Sequence, residues 1–353
     1  MKYDNLVIER KGHEVTTYCR TISLKRTILS IKLKELYGIN NNALIFPSGL
    51  TAIMSLATTI LDNLDEETVF VVGDELYCDT YDGFQYLAYK RNGLTIEFVN
   101  VSDFIGIKKL FIKYGRKISM FYIESCSNPS GQLFDYEKIN NLKEYSLSTI
   151  FCTDNTWLTA YSFNPFDYGF DVVVESMTKY ISGSHCIGGM VIGTHPIMEN
   201  LSYYVDTYGL YVGADHCQIF IDGLYSLKER VQKTSDNMIL FLEYLQTEDI
   251  IDCIKYPFIR SDKSYKLAKK YLKYYPGVVY FHILTKKLVS EFTDFMFSSE
   301  FKTIQFETSY GKSYSKIDTD IVSTSNGFWV RFSIGYDFDQ NTLSEFDQIL
   351  EFC

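Results

Sequence analysis

Long apolar runs are missing from this 353-residue chain. No stretch approaches the roughly 18 consecutive apolar residues of a membrane-spanning helix, so no span is expected. Leu6-Val7-Ile8, set between Asn5 and Glu9-Arg10-Lys11, is too short for the apolar core of a secretory signal. Paired cysteines are missing too. The eight cysteines are scattered and none forms a Cys-x-x-Cys pair. That argues against a disulfide framework or a zinc site and for free thiols in a reducing cytoplasm. His185 and His216 lack metal-ligand spacing, so no metal is expected. No Gly-x-Gly-x-x-Gly opens a helix, which leaves Ser182-Gly183-Ser184 and Gly188-Gly189 as turn residues rather than a dinucleotide loop. Basic charge is not in excess: 34 Lys and Arg against 44 Asp and Glu give a net charge of −10. A nucleic-acid partner, which needs a basic face, is therefore not expected. Internal repeats, low-complexity segments and long linkers are absent as well.

What is present is ordinary globular composition, 46% hydrophobic and 22% charged, at a length that favours two domains. Thr21 to Tyr37 reads as an amphipathic helix, followed by a strand over Ala43–Phe46. The turn Pro47-Ser48-Gly49-Leu50 then enters a helix. Small residues at such a helix N-terminus present unpaired N–H groups to an anion. Nearly continuous apolar runs recur at helix-length spacing, at Thr68–Val72, Ile118–Ile123, Ser148–Cys152, Asp171–Val174 and Gly189–Ile192. Runs of this kind mark strands buried on both faces. Their alternation with helical segments predicts an α/β domain around a mostly parallel sheet. A long helix over about Ser226–Leu245 leads toward a smaller domain with strands at Gly277–Ile283 and Trp329–Ile334 and a last helix near Gln340–Glu351.

Two of the apolar runs end in chemistry. One closes in Ser176-Met177-Thr178-Lys179 and the other in Asp154-Asn155-Thr156. An amine, an acid and two hydroxyls at strand ends suit an aromatic aldehyde cofactor. The amine forms a Schiff base, the acid protonates a ring nitrogen and the hydroxyls hold a phosphate. The cofactor implied is pyridoxal 5′-phosphate. Taken singly, Lys179 would be a solvated strand-end lysine and Asp154-Asn155 an Asx turn. An acid at the carboxyl end of a buried strand nevertheless faces the usual ligand crevice of such sheets.

Six segments in order resemble the Cys/Met-metabolism family of pyridoxal-phosphate enzymes, which includes cystathionine γ-synthases, cystathionine γ- and β-lyases and methionine γ-lyases. They are Phe46–Ile53, Leu76–Tyr81, Tyr122–Ser130, Asp154–Trp157, Ser176–Gly183 and Val330–Gly335. The resemblance implies a fold type I enzyme. Its large domain would hold a mostly parallel seven-stranded sheet between helices, and a smaller C-terminal α+β domain would follow. The corresponding boundaries are an arm and first helix over residues 1–45, a cofactor domain over 46–245 and a small domain over 246–353. Lys179 would carry the aldehyde and shuttle protons, and Asp154 would pair with the ring nitrogen. Tyr77 would stack on the ring and take part in proton transfer. Ser176, Thr178, Ser48 and the N–H groups of Gly49 and Leu50 would hold the phosphate, and Asn128 would sit near the ring hydroxyl. Arg331 would bind the substrate carboxylate, with Ser315 nearby. Tyr18 and Arg20 would reach a neighbouring subunit's phosphate, which implies a homodimer or homotetramer with shared sites.

The chain also departs from the family pattern. Cys78-Asp79 replaces a pair of small residues after the stacking tyrosine. Asp222-Gly223-Leu224 replaces arginine-glycine-leucine, and Ile22-Ser23-Leu24 replaces asparagine-proline-threonine. The N-terminal arm and the stretch 317–328 are short. Tyr314 stands where many relatives carry glutamate in the distal substrate pocket, which disfavours a cationic substrate end. The expectation is a cytoplasmic enzyme of sulfur- or homoserine-type amino acids, a lyase or transferase catalysing γ-replacement or β/γ-elimination. A cofactor-binding partner subunit without turnover, or a desulfurase or aminotransferase on the same fold, stands as the alternative.

Overall fold

The computed structural model describes residues 9–10, 13–14, 23–40, 42–64 and 67–353. Strands β1 (Glu9–Arg10) and β2 (His13–Glu14) pair antiparallel. Chain order then runs α1 (Leu24–Tyr37), β3 (Ala43–Phe46), α2 (Gly49–Asp62), β4 (Thr68–Gly73), α3 (Cys78–Lys90) and β5 (Leu94–Val99). Next come α4 (Phe104–Tyr114), β6 (Ile118–Glu124), α5 (Ile139–Lys143), β7 (Ile150–Asp154), α6 (Thr159–Ser162), β8 (Val172–Glu175), β9 (Gly189–Gly193), α7 (Ile197–Tyr208) and α8 (Ala214–Leu245). Strands β3 to β9 form one seven-stranded sheet in the order β3-β9-β8-β7-β6-β4-β5. The pairs β4–β5, β4–β6, β6–β7 and β7–β8 are parallel, and β9 runs against both of its neighbours.

Continuous apolar runs are explained by what covers this sheet. Val69, Val71, Phe121, Ile123, Phe151 and Val173 join the core on one face. The alternate residues Phe70, Val72, Met120, Tyr122, Cys152 and Val174 join the core on the other. Helix α2 supplies Ala52, Ile53, Leu56, Ala57, Ile60 and Leu61 to the second face. Each fully buried Leu or Ile stabilises by roughly 1.5–3 kcal/mol, enough to override weak strand or helix preferences. On the first face, α1 packs against α8.

Past α8 a second sheet is built from β10 (Ile251–Lys255), β11 (Val278–Leu284), β12 (Ile304–Phe306), β13 (Ser315–Ile317), β14 (Val322–Ser323) and β15 (Gly327–Ser333). Its main order is β10-β11-β15-β13-β12, with β14 on β15. Helices α9 (Tyr265–Tyr271), α10 (Val289–Ser298) and α11 (Gln340–Phe352) complete the chain. A separate core of Phe281, Phe292, Phe328, Val330, Phe332 and Phe346 holds this layer together.

The segments differ from the sequence expectation at their edges. Helix α1 starts at Leu24, capped by Ser23, whose side chain accepts the Arg26 N–H; Thr21 and Ile22 lie outside the described residues. Strand β7 starts at Ile150 rather than Ser148, because the backbone turns over residues 146–149, with Thr149 N–H donating to Ser146 O at 3.4 Å. Helix α8 begins twelve residues before Ser226, at Ala214. Among the described residues no helix is long and apolar enough to cross a membrane.

Candidate active site

The carboxyl ends of three adjacent strands each carry an acid. Glu124 closes β6, Asp154 closes β7 and Glu175 closes β8, with Glu124 and Asp154 opposite each other in register. A cleft of about 350 Å³ opens at this edge. It is lined by Ser48, Gly49, Leu50, Tyr77, Asn128, Asp154, Ser176, Thr178, Lys179 and Arg331, all of them expected site residues. The fold brings together residues up to 283 positions apart in sequence, from Ser48 to Arg331, because the parallel strands present their loops at one edge and β15 of the second sheet brings Arg331 to the same cleft.

Asp154 is fixed by Thr156, whose backbone N–H donates to Asp154 Oδ1 at 2.8 Å and whose hydroxyl donates to the same oxygen. The Thr156 hydroxyl in turn accepts the Ser176 N–H at 2.8 Å, which ties the β7 loop to the β8 loop. Burial pushes the Asp154 carboxyl up, while the Thr156 hydrogen bonds and the Lys179 charge pull it back. Lys179 donates from Nζ to Ser309 Oγ at 2.9 Å and lies 5.3 Å from the centre of the Tyr310 ring. Its amine is pulled down to about 8, first by burial, then by the cations Arg331 and Lys316, with Asp154 opposing.

Helix α2 points its N-terminus into the cleft. Ser48 caps it by accepting the Thr51 N–H at 3.0 Å. A Cβ at Gly49 would come within 2.7 Å of Ser176 Cβ, so this glycine lets the helix end lie flush on the β8 loop. Thr178 Oγ donates to Gly188 O at 3.2 Å and accepts Gly188 N–H at 3.1 Å, pinning the same loop to β9. On the opposite wall, Arg331 of β15 donates to Asn128 Oδ1 at 2.8 Å and pairs with the buried Asp318. Tyr77 at the head of α3 donates its N–H to Glu124 at 2.7 Å and its hydroxyl to Asp79 at 2.7 Å. Burial and then Asp79 raise that phenol to about 12.

Behind the sheet edge, the Tyr37 hydroxyl donates to Glu175 and accepts Asn155 Nδ2 at 3.1 Å. Glu175 is pushed up to about 8, mainly by burial.

Some expected residues stand elsewhere. Tyr314 does not line the cleft; its hydroxyl donates to Glu307 at 2.8 Å and accepts from Lys312. Ser315 is buried at the base of the small sheet, accepting Gly335 N–H at 3.1 Å. Tyr18 and Arg20 lie outside the described residues. Cys78, next to Tyr77, is exposed. The sequence reading assigned no role to Glu124, Thr156, Trp157, Ser309 and Tyr310, all of which line the cleft. Glu124 was findable by the logic that selected Asp154, an acid ending a buried strand. Ser309 and Tyr310 carry no local signal, since only the docking of the small sheet brings them to Lys179.

A lysine and an acid in one cleft, at the carboxyl edge of this sheet and under a helix N-terminus, have the arrangement of a fold type I pyridoxal-phosphate enzyme. The sequence profile of the Cys/Met metabolism PLP-dependent enzymes matches residues 2–329, and the chain belongs to that family. It is 30% identical over 238 residues to cystathionine beta-lyase of Coxiella burnetii, covering 66% of this chain. That match spans 59% of the Coxiella enzyme's length. To L-methionine gamma-lyase of Fusobacterium nucleatum subsp. nucleatum it is 25% identical over 349 residues, 95% of this chain and 86% of that enzyme. The solved structure of cystathionine gamma synthase from Xanthomonas oryzae pv. oryzae in complex with cystathionine shares the fold. Its TM-score is 0.83 at 21% identity, covering 97% of this chain and 88% of that one.

Proposed function

We propose that this chain is a pyridoxal-phosphate enzyme of sulfur- or homoserine-type amino acids, catalysing γ-replacement or β/γ-elimination at Lys179. The observation that carries the reading is Lys179 and Asp154 facing one cleft with Arg331 on its far wall. The donor set fits the cofactor. Asp154 suits the ring nitrogen, Tyr77 the ring face and Asn128 the ring hydroxyl. The Ser176 and Thr178 hydroxyls and the first N–H groups of α2 suit the phosphate. When bound, the cofactor supplies an aldehyde that condenses with amines and a ring that accepts electrons from the substrate α-carbon.

The protein's part is positioning and proton movement. Arg331 offers a guanidinium fork to the α-carboxylate, and Asn128 and Asp318 hold that fork in place. With its amine near 8, Lys179 is about one-tenth neutral at pH 7, against well under one-thousandth for an ordinary lysine. That neutral fraction removes the α-proton and returns it to a neighbouring carbon. Cysteine- or homoserine-type amino acids with a sulfur or oxygen leaving group are the favoured substrates. The reading extends to a homodimer or homotetramer in which Tyr18 and Arg20 complete a neighbour's phosphate site, and to the cytoplasm as its location.

The test is incubation of the purified protein with O-acylated homoserines, homocysteine, cysteine and methionine, with products identified by mass spectrometry. A thioether or a keto acid with ammonia supports the reading, and Lys179→Ala should abolish both. Bound cofactor with no response to any amino acid would leave a binding protein instead. Full turnover by Lys179→Ala would refute the role of the lysine.

A further inference from the structure

The Lys179 amine hydrogen-bonds to a residue from the other sheet, and that residue is held in an unusual way. Ser309 has a φ of +91°, a backbone region that side-chain-bearing residues rarely adopt. Something must therefore impose its conformation. Its own carbonyl and the next one along are both tied down. Tyr310 O accepts from Ser184 Oγ at 2.9 Å, and Ser309 O accepts from Ser333 Oγ at 3.3 Å. A Cβ at Gly311 would come 2.7 Å from the Lys179 carbonyl carbon, so the loop lies flush on the lysine's own turn.

The remaining tie is a buried lysine. Alternation along β13 sends Ile317 into the small-sheet core, and Lys316 to the other face. Lys316 is only 2% exposed. Its Nζ lies 2.8 Å from Glu307 Oε1 and 3.3 Å from Thr308 O, the carbonyl immediately before Ser309. The same Glu307 oxygen accepts from the Tyr314 hydroxyl at 2.8 Å and lies 3.6 Å from Lys312 Nζ. The segment from Glu307 to Lys316 is thus folded back around one carboxylate.

We propose that Lys316, through its ion pair with the partly exposed Glu307 and its bond to Thr308 O, is a positioning residue that holds Ser309 within hydrogen-bonding reach of the Lys179 amine. The proposal rests on the reading of Lys179 as the reactive amine. Lys316 never touches the cleft, so it acts through the loop and through its field. Its cation adds to that of Arg331 in disfavouring the ammonium form of Lys179, against the opposing charge of Asp154. Release of the loop would also admit water to the amine, which moves it in the same direction as loss of the Lys316 charge.

The full-length, cofactor-free protein provides the test. Trace acetylation across a pH series, read by peptide mass spectrometry, gives the neutral fraction of each lysine. Hydrogen exchange reads the mobility of the Thr308–Gly311 backbone. In Lys316→Met, Lys179 labelling at pH 7 should fall about threefold or more, equivalent to half a pH unit in its titration. Thr308–Gly311 should exchange at least about tenfold faster. Lys316→Arg should restore both, and surface lysines serve as the internal control. If Lys316→Met does not fold, Lys316→Met with Glu307→Gln also removes the carboxylate left without its partner and carries the same test. Unchanged labelling or unchanged exchange in a folded variant overturns the proposal. The labelling needs no cofactor, so it decides the role of Lys316 separately from turnover, whereas an active Lys179→Ala would overturn the functional reading.

Discussion

Replacing Lys179 with methionine should stabilise the cofactor-free protein, and the gain should shrink as pH rises. The amine moves from 10.5 in the unfolded chain to about 8 in the folded one, chiefly through burial. Between those values the unfolded chain binds more protons, so wild-type stability climbs with pH through the window from 8 to 10.5. Below it, the folded state carries the whole penalty of a buried ammonium. The shift of about 2.5 units corresponds to about 3 kcal/mol at pH 7 and about 1.4 kcal/mol at pH 9.5. Methionine keeps most of the packing volume and removes the charge. The lost bond to Ser309 costs about 1 kcal/mol at either pH. The net gain is then about 2 kcal/mol at pH 7 and close to zero at pH 9.5. Urea unfolding of both proteins at the two pH values measures it, provided the m-values agree. A variant that is no better relative to wild type at pH 7 than at pH 9.5 would refute the burial argument and the neutral-amine mechanism built on it.

Other perturbations test other parts of the site. Gly49→Ala drives a methyl to 2.7 Å from Ser176 Cβ. It should cost about 1–3 kcal/mol of stability and reduce bound vitamin B6 per chain, read by thermal unfolding and cofactor content. Retention of both would mean that the helix end is not part of the phosphate site. If subunits share sites, Arg20→Ala and Lys179→Ala, each inactive alone, should complement when refolded together. A dimer would recover about one quarter of wild-type activity, since half of the molecules are mixed and each has one intact site. No recovery would point to self-contained sites.

Most of the large sheet was legible because its strands are buried on both faces. Val69–Val72 and Met120–Ile123 need no periodicity to be recognised; an apolar run between helices suffices. Strand β5 was not recognised, since Thr95 and Glu97 break up an edge strand that is buried only at its ends. Lys179 and Asp154 were legible because each ends such a run. Asp318 and Ser309 were not, because strand pairing within the small sheet brings Asp318 to Arg331 and docking of that sheet brings Ser309 to Lys179, neither of which local sequence encodes. The Tyr314 position illustrates the same limit. Its place in a motif suggested a pocket wall, but hydrogen bonds of its hydroxyl to Glu307 and from Lys312 draw it away from the cleft.

The row of acids along the sheet edge has a consequence for the lifetime of the protein. Glu124, Asp154 and Glu175 sit on neighbouring strands, and burial disfavours the charge on each of them. A cationic vitamin ring seated on Asp154, as proposed above, would relieve part of that frustration and stabilise the folded chain. A ligand at one hundred times its dissociation constant adds about 2.7 kcal/mol to stability. Newly made chains in a B6-starved cell would stay closer to unfolding and to proteolysis, and abundance of this protein would follow vitamin supply without any dedicated regulator.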